Sequence, residues 1–101
     1  MLIIVVTTTD SKKEAKKIAD TLLKKRLSAC VQISKIESRY IWQEKLVKSK
    51  EYKLTIKSLD KHYKKIVKTI NKLHSYDTPE IIKINIDKAD KAYAKWVKEV
   101  T

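Results

Sequence analysis

The chain has 101 residues, 24 Lys+Arg against 12 Asp+Glu (a formal charge of +12), and 43% hydrophobic residues. That length supports one domain, residues 1–101, with a modest core, and the complete lack of glycine excludes a P-loop or a G-x-G-x-x-G nucleotide cradle. The charge attracts polyanions, but every cation except Arg26 and Arg39 is a lysine, spread over all the predicted elements, which is a poor composition for bidentate base or phosphate readout.

Leu2 to Val6 is a continuous apolar run ending in threonines, as a central strand requires. It lacks a basic lead-in, so it does not read as a signal peptide, and no apolar run approaches the about 20 residues that cross a bilayer. A cytoplasmic protein with no membrane association is the expectation. Asp10 or Ser11 caps the next helix, Ser11 and Glu14 having the spacing of a capping box. Its apolar face is Ala15, Ile18, Ala19, Leu22 and Leu23, and it stops near Arg26.

Leu27 to Ser58 reads as two extended runs meeting near Gln43-Glu44-Lys45. The first is rich in β-branched and aromatic residues, and Tyr52, Leu54 and Ile56 alternate with polar residues in the second. Each arm is about 14 residues, roughly 45 Å at about 3.3 Å per residue. A domain of this size has a radius of gyration near 13 Å, so the ribbon overhangs its own subunit. Either the strands break midway into a loop, or the tip pairs with another copy of the chain.

Asp60 is the predicted cap of a second helix with the stripe Tyr63, Ile66, Val67, Ile70 and Leu73, ending near His74. Pro79 stops helical continuation and holds Thr78 extended. Glu80 to Ile86 alternates as a strand, and Asp90 caps a last helix whose predicted buried positions are Tyr93, Trp96, Val97 and Val100. The order β-α-β-β-α-β plus a helix is the ferredoxin-like α+β arrangement, with strands one and three central.

No Ser-His-Asp or Cys-His nucleophile pattern is legible. Cys30 fits either a small buried hydrophobe or a thiolate metal ligand, and His74 either a helix-end residue or an imidazole ligand. Tyr40 and Trp42 share a strand face near the ribbon tip, which suits a core or a subunit interface. Glu51 and Lys57 point the same way along the second arm, opposite in parity to Leu54 and Ile56, as a buried or interfacial ion pair or as a solvated edge. His62 is placed on the exposed side of the second helix.

The blocks ACVQ (Ala29–Gln32), SRYIW (Ser38–Trp42), Glu51 with the IKS ending at Lys57, and LHSYDTPEI (Leu73–Ile81) together resemble the CutA divalent-cation tolerance family. VTTTD near the N-terminus and the pair Tyr93 and Trp96 resemble it as well. The resemblance implies a homotrimer with interlocking hairpins, without enzymatic activity or an organic cofactor, that weakly binds Cu2+ or another divalent metal. It implies metal ligands at Cys30, His74 and Glu80, and an inter-subunit cleft drawing on Tyr40, Trp42, Glu51, Lys57 and Tyr76. It also implies a role in the response to copper, or as a small signalling or adaptor trimer. This chain departs from the family's copper pattern, with Thr7 where some bacterial members have Cys and Leu73-His74 where they pair histidines. Ser75 replaces the usual Pro and Glu44 the usual Gly of the hairpin tip.

The rival expectation is a basic ferredoxin-like module that binds nucleic acid or another polyanion through its sheet. Sheet-type RNA readers stack bases on aromatics of the central strands, and here only Tyr52 is available, so nucleic acid is disfavoured. A hydrolase in the style of the acylphosphatases would need an Arg in a Gly-rich loop, which Val6–Asp10 does not supply.

Overall fold

A computed structural model describes residues 1–101. The chain runs β1 (Leu2–Thr9), α1 (Lys12–Lys24), β2 (Cys30–Trp42), β3 (Lys45–Leu59), a single 3-10 turn (Asp60–His62), α2 (Tyr63–Leu73), β4 (Ile81–Asn85) and α3 (Lys91–Val100). The four strands form one antiparallel sheet in the order β2-β3-β1-β4, the ferredoxin-like order expected. Ile3 and Val5 of β1, with Leu54 and Ile56 of β3, point to one face and meet Ile18, Leu22, Ile66 and Ile70 of the helices, all fully buried. At about 25 cal/mol per Å² of apolar area, this layer is the main source of stability.

The ribbon does not break midway. Every one of the 13 residues of β2 has a partner on β3, from Cys30 opposite Lys57 to Trp42 opposite Lys45. The turn is Gln43-Glu44, with φ of 49° and 64°. Two consecutive left-handed residues are what a type I′ hairpin needs to follow strand twist, and glycine is the residue that usually supplies them. Glu44→Gly is therefore expected to raise stability by about 1 kcal/mol, readable as a higher urea midpoint at unchanged slope.

Several local expectations are corrected. β1 extends through Thr9, because Thr8 and Thr9 still pair with Lys53 and Tyr52 of β3 beyond the end of the β4 pairing at Thr7, and the three threonines are buried. Ser11, not Asp10, caps α1 by accepting from the Glu14 N–H. Asp60 does not cap α2: the intervening 3-10 turn makes His62 the cap residue, with no side-chain hydrogen bond. Asp60 instead accepts from Lys83 Nζ at 2.7 Å, and that ammonium holds its carboxyl below the ordinary value. His62 is half-buried rather than exposed, and burial, followed by the charges of Lys61 and Lys65, holds its imidazole below the usual range. β4 starts at Ile81, since the Pro79 ring leaves no ladder donor at the start of the run.

The largest discrepancy lies in α3. Only Val97 is buried, against Leu2 and Leu59, while Tyr93 and Trp96 lean on each other at 5.7 Å between ring centroids and stay 38% and 41% exposed. Leu23, Ile41 (68% exposed), Leu46, Ile82 and Ile84 are also open. α1 and α2 cover one face of the sheet and α3 packs only on the Leu2–Leu59 end of the other; these side chains, Leu23 aside, lie on the rest of that face, on the ribbon or on α3. The extents of 45 × 25 × 22 Å come from the ribbon projecting past the body.

Candidate functional site

Where the ribbon leaves the body, the segment after α2 folds back over the end of β1 and encloses a cleft of about 670 Å³. Strand parity supplies one wall. Ser38, Tyr40 and Trp42 share a face of β2, and the register places Glu51 of β3 on that same face, opposite Ile36. The other wall is Ser75, Tyr76, Asp77, Thr78 and Glu80, held extended into β4 by Pro79.

Glu51 is buried and accepts a 2.8 Å hydrogen bond from the Tyr76 hydroxyl. Burial, then the hydrogen bond and negative charge of Glu51, push the Tyr76 phenol well above its ordinary value. The folded-state value is raised, so the stabilisation is complete below the unfolded pKa of about 10 and is lost as pH rises past it. In alkaline unfolding, Tyr76→Phe is expected to flatten the loss of stability between about pH 10 and 12. It should also lower stability at pH 7 by about 1–3 kcal/mol, because the buried Glu51 loses its donor.

Behind this wall lies a second hydrogen-bonded cluster. The His74 side chain is shut off from solvent. Its Nδ1 accepts from the Tyr76 N–H at 3.0 Å, so Nε2 carries the proton and donates to the Thr8 carbonyl at 2.7 Å. The Glu14 carboxylate, 3.6 Å from Nδ1, accepts instead from the hydroxyls of Thr9 and Ser75. With Nδ1 already filled, the His74–Glu14 approach is not an ion pair. The Ser11/Glu14 capping box is thus half-built, because the carboxylate ties α1 to the strand before it and to the loop before β4.

The predicted site residues separate into two groups. Tyr40, Trp42, Glu51, Tyr76 and Glu80 come together in the cleft. Cys30 and Lys57 are cross-strand partners near the far end of the ribbon, six residues along β3 from Glu51, or roughly 20 Å. Lys57 donates to Gln32 at 2.7 Å rather than to Glu51, so the Glu51–Lys57 pair does not form. Nor does His74 present a free nitrogen to a ligand. The metal set Cys30, His74 and Glu80 is therefore not assembled within one subunit, and no group of three or more His, Cys, Asp or Glu side chains converges anywhere in it. The cleft offers only oxygen donors, from Glu51, Asp77, Glu80 and the Tyr76 phenol, which suit a hard cation better than copper.

Asp77, Ser38 and Glu14 were missed as site residues. Ser38 shares the parity of Tyr40 and Trp42, a signal available in the sequence; Glu14 had none beyond its capping role. The sheet does not resemble a base-stacking platform, since Tyr52 packs on the helix side against the core.

Residues 3–100 match the family described as CutA1 divalent ion tolerance protein. The chain is 36% identical over 100 residues to the divalent-cation tolerance protein CutA of Pyrococcus horikoshii, covering 99% of this chain and 98% of that one. It is 34% identical over 98 residues to that of Thermococcus kodakarensis, covering 97% and 94%. Among solved structures, the periplasmic divalent cation tolerance protein CutA of Archaeoglobus fulgidus superimposes with a TM-score of 0.97 at 32% identity, over 99% of this chain and 98% of that one. The divalent cation tolerance protein of Thermus thermophilus gives 0.96 at 33%, over 100% and 99%. Near-complete coverage at these identities, on the same strand order, means that this chain belongs to the CutA family of divalent-cation tolerance proteins.

Proposed function

We propose that the chain works in the cytoplasm as a homotrimer that weakly binds divalent cations, copper among them, and serves the response to those ions without catalysing a reaction. The observation that carries this reading is the half-walled cleft beside a ribbon whose aromatic face has no cover: Trp42 is 52% exposed in the single chain while lining the same cleft as Glu51 and Glu80. A neighbouring subunit would close both at once. The names of the relatives supply the cation class.

Within this reading, Asp77 and Glu80 offer carboxylates from one subunit, and Cys30, half-exposed on its strand, supplies the one soft donor from another. A free, accessible thiol also suits a reducing compartment. His74 contributes by holding the loop rather than by binding metal. Occupancy read out through the assembly gives the signalling or adaptor role its physical basis.

The experiment is a mass measurement by light scattering, followed by copper titration. The expected particle contains three 11.8 kDa chains. Cys30→Ser and Glu80→Gln should each weaken copper binding about tenfold or more. Identical curves for wild type and both variants would remove these ligands, and a single-chain mass at high protein concentration would remove the trimer.

A further inference from the structure

On the opposite side of the molecule from the sheet's open face, a groove of about 480 Å³ runs between the end of α1 and the length of α2. Its walls are Lys25, Lys65, Lys68 and Lys72, its floor is the buried Leu27, and Thr69 completes it. Lys65, Lys68 and Lys72 stand at i, i+3 and i+7, one face of the helix, and Lys25 caps α1 directly opposite. No acidic side chain lines the groove.

This concentration of charge has no counter-charge in the fold. None of the four lysines takes part in an ion pair; the pairs that exist involve Arg39, Lys83 and Lys95. The segment forming α2, YKKIVKTINKL, contains no acid at all, and its first turn lacks a side-chain cap. Like charges three and four apart destabilise a helix by a few tenths of a kcal/mol per pair. The same field contributes to the depressed imidazole of His62, where Lys65 is one of the causes.

We propose that this groove binds a chain of phosphates, of the inorganic polyphosphate type. Four ammonium groups line this one groove, with no acid among its lining residues, and together they present a concentration of positive charge suited to a multiply charged chain. Lysine acts on phosphate as a point charge and imposes no stereospecific fork. No aromatic residue lines the groove, so it offers nothing for a nucleobase to stack on. The ligand is selected by its charge density and length. This site is independent of the proposed cation function and lies on other elements.

The test uses sodium tripolyphosphate, orthophosphate and an oligothymidylate of matched charge, titrated into the full chain at about 150 mM salt, where the Debye length is about 8 Å. Tripolyphosphate is expected to bind at least tenfold more tightly than orthophosphate and to raise the melting temperature. The triple variant Lys65→Gln, Lys68→Gln, Lys72→Gln should lose at least tenfold in that affinity. The triple Lys12→Gln, Lys13→Gln, Lys16→Gln, with the same change of net charge on exposed positions outside the groove, should lose less than threefold. Because the groove variant removes repulsion, it should melt no lower than wild type without anion, and replacing the three lysines by arginine should preserve binding. Equal losses in the two glutamine triples, or no preference for tripolyphosphate over orthophosphate, would overturn the site. Tighter binding of the oligothymidylate than of tripolyphosphate would replace it with a nucleic-acid surface.

Discussion

Ile84→Asp is expected to convert the proposed trimer into single chains that remain folded. Ile84 is 49% exposed in the subunit and pairs with Ile4 on the face of the sheet opposite α1 and α2. In an isolated chain the new carboxylate stays in water, and the cost is confined to a few tenths of a kcal/mol of strand preference. In an assembly that covers this face, each subunit must bury an unpaired charge, at several kcal/mol per site. Repeated at every copy, that penalty exceeds what a subunit interface of ordinary size can absorb. Light scattering should report one 11.8 kDa chain with wild-type far-UV circular dichroism. An unchanged three-chain mass would mean that this face stays open, and the assembly would have to be sought on the ribbon alone.

His74→Ala is the second large effect, and it separates a structural histidine from a metal ligand. The imidazole satisfies two backbone groups at once, the Thr8 carbonyl and the Tyr76 N–H, inside a site closed to solvent. Removing it strands both and leaves a cavity, at a cost of about 2–4 kcal/mol. The loop bearing Tyr76 then loses its anchor, and the Tyr76–Glu51 bond weakens with it. Urea unfolding at one fixed protein concentration measures the loss, the concentration being held because assembly contributes to apparent stability. Copper affinity at protein concentrations where the variant is folded should fall by less than about threefold, well short of the loss in Cys30→Ser or Glu80→Gln, because His74 positions the loop without binding the ion. A variant of wild-type stability with weakened copper binding would make His74 a ligand after all.

The two results bear on one structural relation. The cleft wall is held by groups whose hydrogen bonds are made within the subunit, whereas its mouth is lined by Tyr40 and Trp42, which stand on the ribbon. Rigid positioning on one side and a missing cover on the other is the condition under which subunit association can complete a binding site.

What the amino-acid order determined by itself was the set of elements and their sequence along the chain. Ala15, Ile18, Ala19 and Leu22 at helical spacing, the apolar run Leu2 to Val6, and the alternation through Tyr52–Ile56 are local periodicities, and each element formed where its period placed it. The overhang of the ribbon was legible from its length, while its continuity, against a break into a loop, was decided by the unbroken β2–β3 register. The cleft set Tyr40, Trp42, Glu51 and Tyr76 was named through the resemblance to the family; periodicity alone left Glu51 as an ion-pair or edge residue, and only the β2–β3 register put it on the face of Tyr40 and Trp42.

Only the tertiary structure decided where each side chain's hydrogen bonds and cover come from. A histidine at a helix end carries no mark of whether its nitrogens are free, and His74 was settled by a carbonyl on β1 and an N–H two residues on. Cys30 and Glu80 were separated by the register of a long ladder, which no local pattern encodes. Tyr93 and Trp96 occupy positions that read as core, yet stay partly exposed, because a helical period names a face and not what packs against it. Asp60 was drawn from its capping role to Lys83, a partner distant in sequence. In each case the deciding interaction is non-local, and its energy depends on which groups the folded chain brings within a few ångströms of each other.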